Sequence, residues 1–303
     1  MPLMVYDGTQ WIGIGNPGSG GGSDSPVNLG TYVYRDASNT GLAGVGLTLA
    51  DLTPLTINSG FTGTQTVVFT EKHITGDIRL YNTSSVTLVR CKVDGYIDCD
   101  GDPTFTAIDC DIDAGPWTNA AVGFNNLTLT RCNISGGITS VNGTINTLVE
   151  DCYCHGQHVE PLGQTHTGAI TCFGGGDMII RGTTIWNDSL DNGNGGGPTG
   201  NFQLFGDNGP IDNVLVEYCY LPYTAGGFSA SLGLNPGKPG GDNPTNIVFK
   251  HNIFGKGPNG KGGAFGTVTS WLPDANDGTT GVGNQYYDNI WQDGSGAVVP
   301  NVG

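Results

Sequence analysis

Three of the five histidines in the chain lie close together, with a glutamate among them. Imidazole nitrogens and carboxylate oxygens both coordinate transition metals, so this group of side chains could form a metal site. Their spacing matches no established ligand motif, and the alternative is a loop whose histidines are exposed to solvent or hydrogen-bonded. The four candidate ligands are His155, His158, Glu160 and His166.

Acidic residues form a second candidate site. The segments DCDGD (98–102) and DCDID (109–113) bring several carboxylates together, and clustered carboxylates are ligands that calcium prefers. Their order is not that of an EF-hand loop, and the alternative is a solvated edge of the fold. A divalent cation, calcium, is the cofactor that these segments suggest, although nothing in the sequence requires one.

Aromatic residues beside Asp and Asn form the third candidate site. Exposed rings in such surroundings are typical of sugar-binding surfaces, so this group could contact a cell-surface glycan. The same rings could instead pack loops onto a core or fill a subunit interface, and both interpretations stay open. The residues are Trp117, Trp186, Tyr223, Phe228 and Trp271.

The elements that position these residues follow a repeat. Segments such as VTLVRCKV (86–93), LTLTRCNI (127–134) and VLVEYCYL (214–221) share the pattern apolar-x-apolar-x-x-Cys-x-apolar. Alternating apolar residues with one skipped position predict a strand, a bend and a second strand. The residue at the Cys position of the pattern, here called the marked residue, should face inward. Because such copies recur along the chain, they predict a stack of coils. In three copies the Cys is replaced, by Thr183, Asn252 and Asn289.

The spacing of the copies predicts the outline of the stack. The first four marked cysteines lie about twenty residues apart, which fits one solenoid coil. Later copies lie roughly ten or more residues further apart, and the extra residues must leave the coil as loops. Glycine is abundant, at 53 residues, and charged residues make up only 13%. With no long segment at helical spacing, the sequence predicts an all-β solenoid of roughly eight rungs, with long loops on the later rungs.

Two columns of charged residues favour stacking in register. The residue before the marked position alternates in sign over four successive copies, and the residue one further back does so over four later copies. Equivalent residues of a parallel stack lie about 4.8 Å apart, where opposite charges attract. We therefore expect two ladders, one of Arg90, Asp109, Arg131 and Asp151, and one of Glu150, Arg181, Glu217 and Lys250.

The cysteines at the marked position form a third column. Neither CxxC pairs nor zinc-finger spacings are present, which favours small buried thiols in a narrow core. Neighbouring coils could satisfy disulfide distances, but the N-terminal MPLMVYDGTQW lacks the features of a secretion signal, so reduced thiols are favoured. The column consists of Cys91, Cys110, Cys132, Cys152 and Cys219.

Over roughly residues 60 to 300, this repeat resembles the right-handed parallel β-helix of the pectate-lyase-like superfamily. There, an inward Asn commonly occupies the bend position, as Asn252 does in KHNIFG and Asn289 does in YDNIWQ. The resemblance implies a right-handed parallel β-helix and says less about function.

The N-terminal segments narrow the resemblance. VYDGTQWIGI (5–14) is similar to the Asp-Gly-x-x-Trp segments that open many tail proteins of phages infecting actinobacteria. SNTGLAGVGLTL (38–49) and TVVFTEKHITGDIRL (66–80) resemble the entry to β-helices in minor tail proteins of such phages. The resemblance implies a siphophage minor tail protein at or near the tail tip, made in the bacterial cytoplasm and often a homotrimer.

These segments predict three parts of the chain. Residues 1–28 would form an attachment segment with a Gly/Ser linker, which contacts other tail proteins. Residues 29–80 would form a cap and the entry rungs, and residues 81–303 the β-helix with its loop insertions. The formal charge of −16 disfavours nucleic acid as a partner, because such a surface repels phosphate. No apolar run is long enough to insert across a membrane.

Enzymatic activity is the main alternative. Many β-helix proteins of this kind carry His-x-Asp-Gly-Ile, whereas the segment from His166 to Ile170 reads HTGAI, without the Asp. A hydrolase needs carboxylates at a set separation and a lyase needs a basic side chain with a tuned pKa, and no intact motif of either kind is found. We therefore expect a virion protein that recognises the host surface. The alternatives are a polysaccharide lyase or glycoside hydrolase on the same scaffold, and a secreted bacterial surface protein.

Overall fold

A computed structural model describes residues 3–6, 11–14, 27–57, 60–161 and 166–301. Almost all of its elements are β-strands. The helical elements are an α-helix at Gly41–Gly44 and a 3-10 turn at Leu49–Asp51. Leu3–Tyr6 and Trp11–Ile14 pair as antiparallel strands, and the rest of the expected attachment segment up to residue 26 lies outside the described residues. No described helix is long and apolar enough to span a membrane.

Three stacks of parallel strands, here called sheets A, B and C, form the body of the molecule. Sheet A contains Thr66–Thr70, Ser85–Val89, Thr104–Ile108, Leu127–Thr130, the end of Thr139–Glu150, Gly175–Arg181, Ile211–Glu217, Thr245–Lys250 and Gln285–Tyr287. Sheet B contains Thr53–Thr56, Lys72–Thr75, Lys92–Asp94, Asp111–Asp113, Asn133–Ser135, Tyr153–Cys154, Thr184–Ile185, Tyr220–Leu221, Ile253–Phe254 and Ile290–Trp291. Sheet C contains Ile78–Tyr81, Ile97–Asp100, Ala120–Asn125, the start of Thr139–Glu150, Gly168–Cys172, Gly200–Leu204, Phe228–Leu232 and Gly266–Thr269.

The chain passes through sheets A, B and C in turn, and each strand pairs with its equivalent in the neighbouring coil. The first complete coil starts at Thr66, the eighth ends at Thr269, and a ninth adds strands to sheets A and B. The prediction of a parallel β-helix is confirmed. The repeat in the sequence accounts for sheets A and B, whereas sheet C is an additional face that the repeat did not reveal.

Each turn from sheet A to sheet B is made by one residue in the left-handed region. Its φ lies between 51° and 59° in all nine coils, a conformation that costs a non-glycine residue roughly 1–2 kcal/mol. Hydrogen bonds between coils offset this cost, as where the Arg131 N–H donates to the Glu150 carbonyl at 2.9 Å. These bends are Glu71, Arg90, Asp109, Arg131, Asp151, Gly182, Tyr218, His251 and Asp288.

From the second coil onward, the residue after each bend points into the core, where it can link one coil to the next. The Cys132 N–H donates to Cys152 Sγ at 3.3 Å, and the Cys152 N–H donates to Thr183 Oγ1 at 3.1 Å. In the later coils the Cys219 N–H donates to Asn252 Oδ1 at 2.9 Å, and the Asn252 N–H to Asn289 Oδ1 at 3.0 Å. The cysteine column therefore does more than fill space, because the thiols and amides serve as interchangeable hydrogen-bond acceptors.

The later charged column lies in register on the outer side of sheet A. Arg181 pairs with Glu150 and Glu217 of the two adjacent strands. Its guanidinium nitrogens lie 3.5 Å from Glu150 Oε1 and 2.6 Å from Glu217 Oε1, and Lys250 Nζ lies 3.7 Å from Glu217 Oε2. Each cation thus contacts a carboxylate of a neighbouring coil.

The earlier charged column coincides with the bends, and its pairing differs at both ends. Arg131 makes two hydrogen bonds to Asp109, at 2.7 and 3.0 Å. Arg90 pairs at 2.9 Å with Glu71 of the preceding coil, and Asp151 pairs at 2.6 Å with Arg35. The column therefore begins one coil earlier than its sequence pattern indicates, and its last member binds a cation from outside the repeat.

Arg35 belongs to a strap, residues 29–42, that crosses the outer side of sheet B. Tyr32 Oη donates to the Tyr218 carbonyl, the Arg35 N–H donates to Thr184 Oγ1, and the Gly41 N–H donates to the Arg131 carbonyl. Gly41 has φ +57°, and a Cβ there would lie 1.8 Å from Asp111 Oδ1, so only glycine fits. Residues 29–42, expected to form part of a cap, thus lie along the side of the solenoid.

The long loops emerge at the two edges of sheet C. Loops 155–167, 186–199, 222–227 and 255–265 connect sheet B to sheet C. Loops 205–210, 233–244 and 270–284 connect sheet C to sheet A. The outer side of sheet C in the later coils therefore lies between two rows of loops, whereas the one-residue bends leave the edge shared by sheets A and B without insertions.

Replacing Asn252 tests the inward ladder. Asn252→Val removes the acceptor for the Cys219 N–H and the donor to the Val216 carbonyl. Asn252→Thr keeps a hydroxyl, as Thr183 does two coils earlier. We expect the Val variant to have a free energy of unfolding about 1–3 kcal/mol lower than the Thr variant. Denaturant titration of both variants measures the difference, and equal stabilities would mean that the ladder only fills space.

The thiols give a second test of the core. All eight cysteines are buried and free, so a thiol reagent should react very little with the native protein and should find eight thiols after denaturation. Absorbance titration with and without denaturant measures both numbers. Quantitative disulfides in the purified protein would contradict the buried thiol column.

Candidate functional site

A shallow pocket opens on the outer side of sheet C in the second and third coils. Its volume is about 10 Å³, and it lies between strands Ile97–Asp100 and Ala120–Asn125 and the turns that precede them. Strand alternation places the side chains of Ile97 and Cys99 in the core, which leaves Asp98 on the outer side. The pocket is lined by Tyr96, Ile97, Asp98, Trp117, Asn119, Ala120, Gly123 and Phe124.

A stacked aromatic pair forms one wall of this pocket. The rings of Tyr96 and Trp117 are nearly parallel, with centroids 4.0 Å apart and an interplanar angle of 8°. Tyr96 is buried, and Arg79 holds it from the preceding coil through a hydrogen bond to the phenol and a cation–π contact at 5.1 Å. Because Tyr96 covers one face of the half-buried indole, a ligand can stack only on the other face.

Asp98 supplies the carboxylate of the pocket. Burial raises the pKa of Asp98, the neighbouring Asp100 raises it further, and Arg79 opposes the shift. Arg79 and Asp98 are register partners on adjacent strands. The wall of the pocket thus combines an aromatic face with a hydrogen-bonding carboxylate and the amide of Asn119, an arrangement that can hold a polar ring with hydroxyl groups.

The register partners of Asp98 continue as a polar row along sheet C. Gly123, Asn142, Thr171 and Gln203 follow one another on successive strands. Asn142 Oδ1, Thr171 Oγ1 and Gln203 Nε2 are buried and have no hydrogen-bond partner in the described part of the chain. Unpaired buried polar atoms are rare in folded proteins, so three on consecutive coils mark a surface whose hydrogen-bonding capacity is unused.

Loops cover the parallel row nearest the edge with sheet B. Gln157 Nε2 donates to Ser140 Oγ at 2.8 Å, and Asn187 Nδ2 donates to the Thr167 carbonyl at 2.7 Å. The Asn187 N–H donates to Asn201 Oδ1 of sheet C, and Asn201 Nδ2 donates to the Pro222 carbonyl of the next loop, both at 2.7 Å. The loops after sheet B are therefore fastened onto sheet C by side-chain hydrogen bonds.

The predicted sugar-binding aromatics fall into separate places. Trp117 lines the pocket. Trp186 and Tyr223 meet at the edge between sheets B and C, where Trp186 Nε1 donates to the Tyr223 carbonyl at 3.2 Å. Phe228 packs edge-to-face on the exposed Phe265. Trp271 is only 5% exposed and packs against Tyr286, so it belongs to the core and not to a surface site.

The predicted metal ligands are not gathered into one site. His155 Nε2 lies 2.8 Å from Asn133 Oδ1, its ring stacks on Tyr153, and burial lowers its pKa. His158 and Glu160 are half-buried in the following loop, and His166 is exposed beyond residues 162–165, which lie outside the described residues. Within the described ranges, no three His, Cys, Asp or Glu side chains are placed to hold a metal ion.

The two acidic segments are divided between different faces. Asp98 and Asp100 lie on the outer side of sheet C, with Asp102 in the turn that follows. Asp109 is a bend residue bound to Arg131, and Asp111–Asp113 is a strand of sheet B. The bend and the change of sheet separate carboxylates that are close in sequence, so the segments do not form a joint calcium site.

Comparison with known proteins finds no matching family model, no matching curated protein and no matching solved structure.

Tyr96 and Asn119 are among the pocket residues that sequence analysis missed. Both lie in the turns that lead into sheet C, and the repeat did not reveal sheet C. Asp98 was noticed only as part of an acidic segment. A usable signal was present, because YIDCD (96–100) alternates outward and inward residues five positions after the marked Cys91.

The raised pKa of Asp98 gives a pH test. The pKa of Asp98 is higher in the folded than in the unfolded protein, so its carboxyl group is harder to charge in the folded protein. The stability that Asp98 contributes is therefore complete below its pKa in the unfolded protein and is lost as the pH rises through its pKa in the folded protein. Asp98→Asn should therefore be more stable than the natural protein near neutral pH, and the difference should vanish below the ordinary carboxyl range. Asp100→Asn, on the same strand but exposed, controls for the loss of one negative charge. Thermal melts at several pH values measure both, and equal gains from the two variants would contradict the assignment.

Proposed function

We propose that this protein is a phage tail protein whose β-helix displays a glycan-binding site on the outer side of sheet C. The observation that carries the glycan site is the pocket, where a stacked Tyr96–Trp117 pair stands beside Asp98 and Asn119. Sugar rings have an apolar face that lies on aromatic rings and hydroxyls that bond to carboxylates and amides. The ligand class is a neutral oligosaccharide, because the net charge of −16 repels anionic polymers.

The pocket is too small to enclose a sugar ring. Its volume is about 10 Å³, far below the roughly 300–1,000 Å³ of pockets that enclose a drug-sized molecule, so the first sugar would stack on the open face of Trp117 at the surface. The remaining sugars would extend along the polar row of Asn142, Thr171 and Gln203, whose unpaired atoms lie one coil apart. Those atoms are buried, so this part of the surface opens only if the covering loops move.

Attachment to a particle is supported by the N-terminal sequence and by the course of the strap. VYDGTQWIGI resembles the opening segments of phage tail proteins. Leu29 lies beside Gly294 in the last coil, so the strap begins near the C-terminal end of the solenoid. The pocket lies six coils away, about 30 Å at the usual strand spacing. A protein attached through residues 1–28 would therefore hold its pocket away from the attachment point.

Hydrolysis of the same glycan is the second candidate function. Asp98 and Asp100 lie two residues apart on one strand, so their side chains share the outer side at a spacing of about 6.7 Å. Inverting glycosidases separate their two carboxyl groups by roughly 6.5–9.5 Å and raise the pKa of one of them, as burial does for Asp98. The position of Asp100 outside the pocket lining favours binding over hydrolysis.

Trp117→Ala tests the glycan site. Neutral oligosaccharides released from actinobacterial cell envelopes are immobilised, and binding is measured by biolayer interferometry. We expect the variant to bind at least about tenfold more weakly, because it loses about 1.5 kcal/mol or more of stacking and apolar contact. Trp186→Ala, which removes a half-buried indole at another edge, should leave binding unchanged. Equal binding by all three proteins would contradict the site.

The same oligosaccharides separate binding from hydrolysis. Under the proposed function, incubation with the natural protein releases no new reducing ends. Release that disappears in Asp98→Asn and in Asp100→Asn would instead establish the hydrolase. Release that persists in both variants would point to a contaminating enzyme and leave the binding assay to decide.

A further inference from the structure

The first strand of sheet A, Thr66–Thr70, has a neighbouring strand on one edge only. In a parallel ladder, alternate residues direct both their N–H and their C=O to the same neighbour. The Gln65 carbonyl accepts from the Ser85 N–H, and the Glu71 N–H donates to the Val89 carbonyl. Odd-numbered residues of this strand therefore bond to the next coil. The N–H and C=O groups of residues 66, 68 and 70 point to the other edge, where the described part of the chain supplies no strand.

The core is also open beneath this first strand. Val67 and Phe69 face inward but are only half-buried, whereas their partners in the next coil, Val86 and Leu88, are fully buried. Phe69 packs edge-to-face on Phe61, which is half-buried as well. A further strand at this edge would cover these side chains, as each strand of sheet A covers the inward residues of its neighbours.

The other two sheets are covered at this end of the solenoid, so the gap is one strand wide. Thr53–Thr56 pairs with the first complete coil in sheet B. In sheet C, Phe61 forms a bridge to Leu80 of that coil. The space beside Thr66–Thr70 therefore lies between two covered sheets, and its width suits a single extended segment.

The open edge of sheet A lacks the features that normally prevent pairing with other chains. Proteins protect such edges with proline, charged side chains or bulges. The first strand of sheet B, TPLT, is protected in this way, because the N–H groups of Thr53 and Ile57 bond to the next coil and Pro54 therefore faces outward without an N–H. The first strand of sheet A, TVVFT, has neither proline nor charge, and Val68 at its centre is 62% exposed.

We propose that the open edge of Thr66–Thr70 binds an extended segment of a different protein, which continues sheet A by one strand. The backbone groups of residues 66, 68 and 70 supply the hydrogen bonds, and alternate apolar side chains of the partner cover Val67 and Phe69. Because most of these bonds are made by the backbone, the edge accepts segments that have apolar residues at alternate positions and no proline in the bonded stretch. This binding is independent of the glycan pocket.

The opposite end of the solenoid disfavours a second copy as the partner. Residues 296–301 cross that end from one sheet to another. Ala297 forms a bridge to Ile290 of sheet B, and the Asn301 N–H donates to the Val268 carbonyl of sheet C at 3.0 Å. This segment lies where a further coil would have to stack, so the last coil of one copy cannot dock on the first coil of the next.

A synthetic peptide tests the edge. Its sequence is TSSVTLVR (83–90), because this segment contains the strand that pairs with the opposite edge of Thr66–Thr70. Amide hydrogen exchange of the full chain is followed residue by residue with and without the peptide. At saturating peptide, we expect exchange at Val68 and Thr70 to slow at least about tenfold, because their N–H groups become hydrogen-bonded.

Two variants at the centre of the strand show where the peptide binds. Val68→Pro removes the central outward N–H and leaves the bonds to the next coil in place, so the slowing at Thr70 should be lost. Val68→Thr keeps that N–H and should behave as the natural protein does. Circular dichroism melts establish that both variants are folded.

Three results would overturn the proposal. The first is unchanged exchange at Val68 when the peptide is added to the natural protein. The second is equal slowing at Thr70 in the folded Val68→Pro variant. The third is a natural protein that sediments as a dimer and already protects Val68 and Thr70 without peptide, because a second copy would then occupy the edge.

Discussion

The inward residue that follows a bend donates its N–H to the side chain of the equivalent residue in the next coil. This hydrogen bond is the constraint on which the rest of the structure depends. It fixes the height of every coil relative to the next, as in the step from Cys219 to Asn252. The bend before it requires a left-handed residue, and a non-glycine residue bears the cost of that conformation in every coil except that of Gly182. Register, charge pairing and the position of each outward side chain follow from this link.

Register explains how much of the molecule could be predicted from sequence. The bend column and the inward column each leave a fixed mark, so sheets A and B and the pairing of Arg181 with its neighbours were predictable. Sheet C has no bend residue and follows loops of unequal length, so its strands do not recur at a fixed distance from the marked residue. The pocket depends on sheet C and on a turn that brings Trp117 onto Tyr96, a contact across 21 residues of chain that no local pattern encodes.

The contacts of the strap, residues 29–42, could not be predicted from local sequence either. Its contacts join residues far apart in the chain, with 186 positions between Tyr32 and the Tyr218 carbonyl and 116 between Arg35 and Asp151. Local sequence indicates only turn-forming residues there. The sequence pattern assigns Arg131 to both Asp109 and Asp151, but in the structure Arg131 bonds only Asp109 through two hydrogen bonds, which leaves Asp151 for a cation from another segment. Arg35 is that partner, and through it the N-terminal segment is held along the solenoid.

Asn replaces Cys in the inward column at the coil with the longest loops, that of Asn252. A thiol accepts one N–H at a long distance, 3.3 Å for Cys152, whereas an amide also donates, as Asn252 Nδ2 does to the Val216 carbonyl at 3.0 Å and to Asn289 Oδ1 at 2.9 Å. Closing a longer loop costs more entropy, although only about 0.6 kcal/mol for each doubling of length. An additional hydrogen bond contributes about 0.5–1.5 kcal/mol, which is enough to offset that cost. The coil with the longest insertions, 255–265 and 270–284, therefore carries the stronger link through Asn252. Loops 155–167 and 233–244 instead lie in coils whose inward residues are thiols, Cys152 and Cys219.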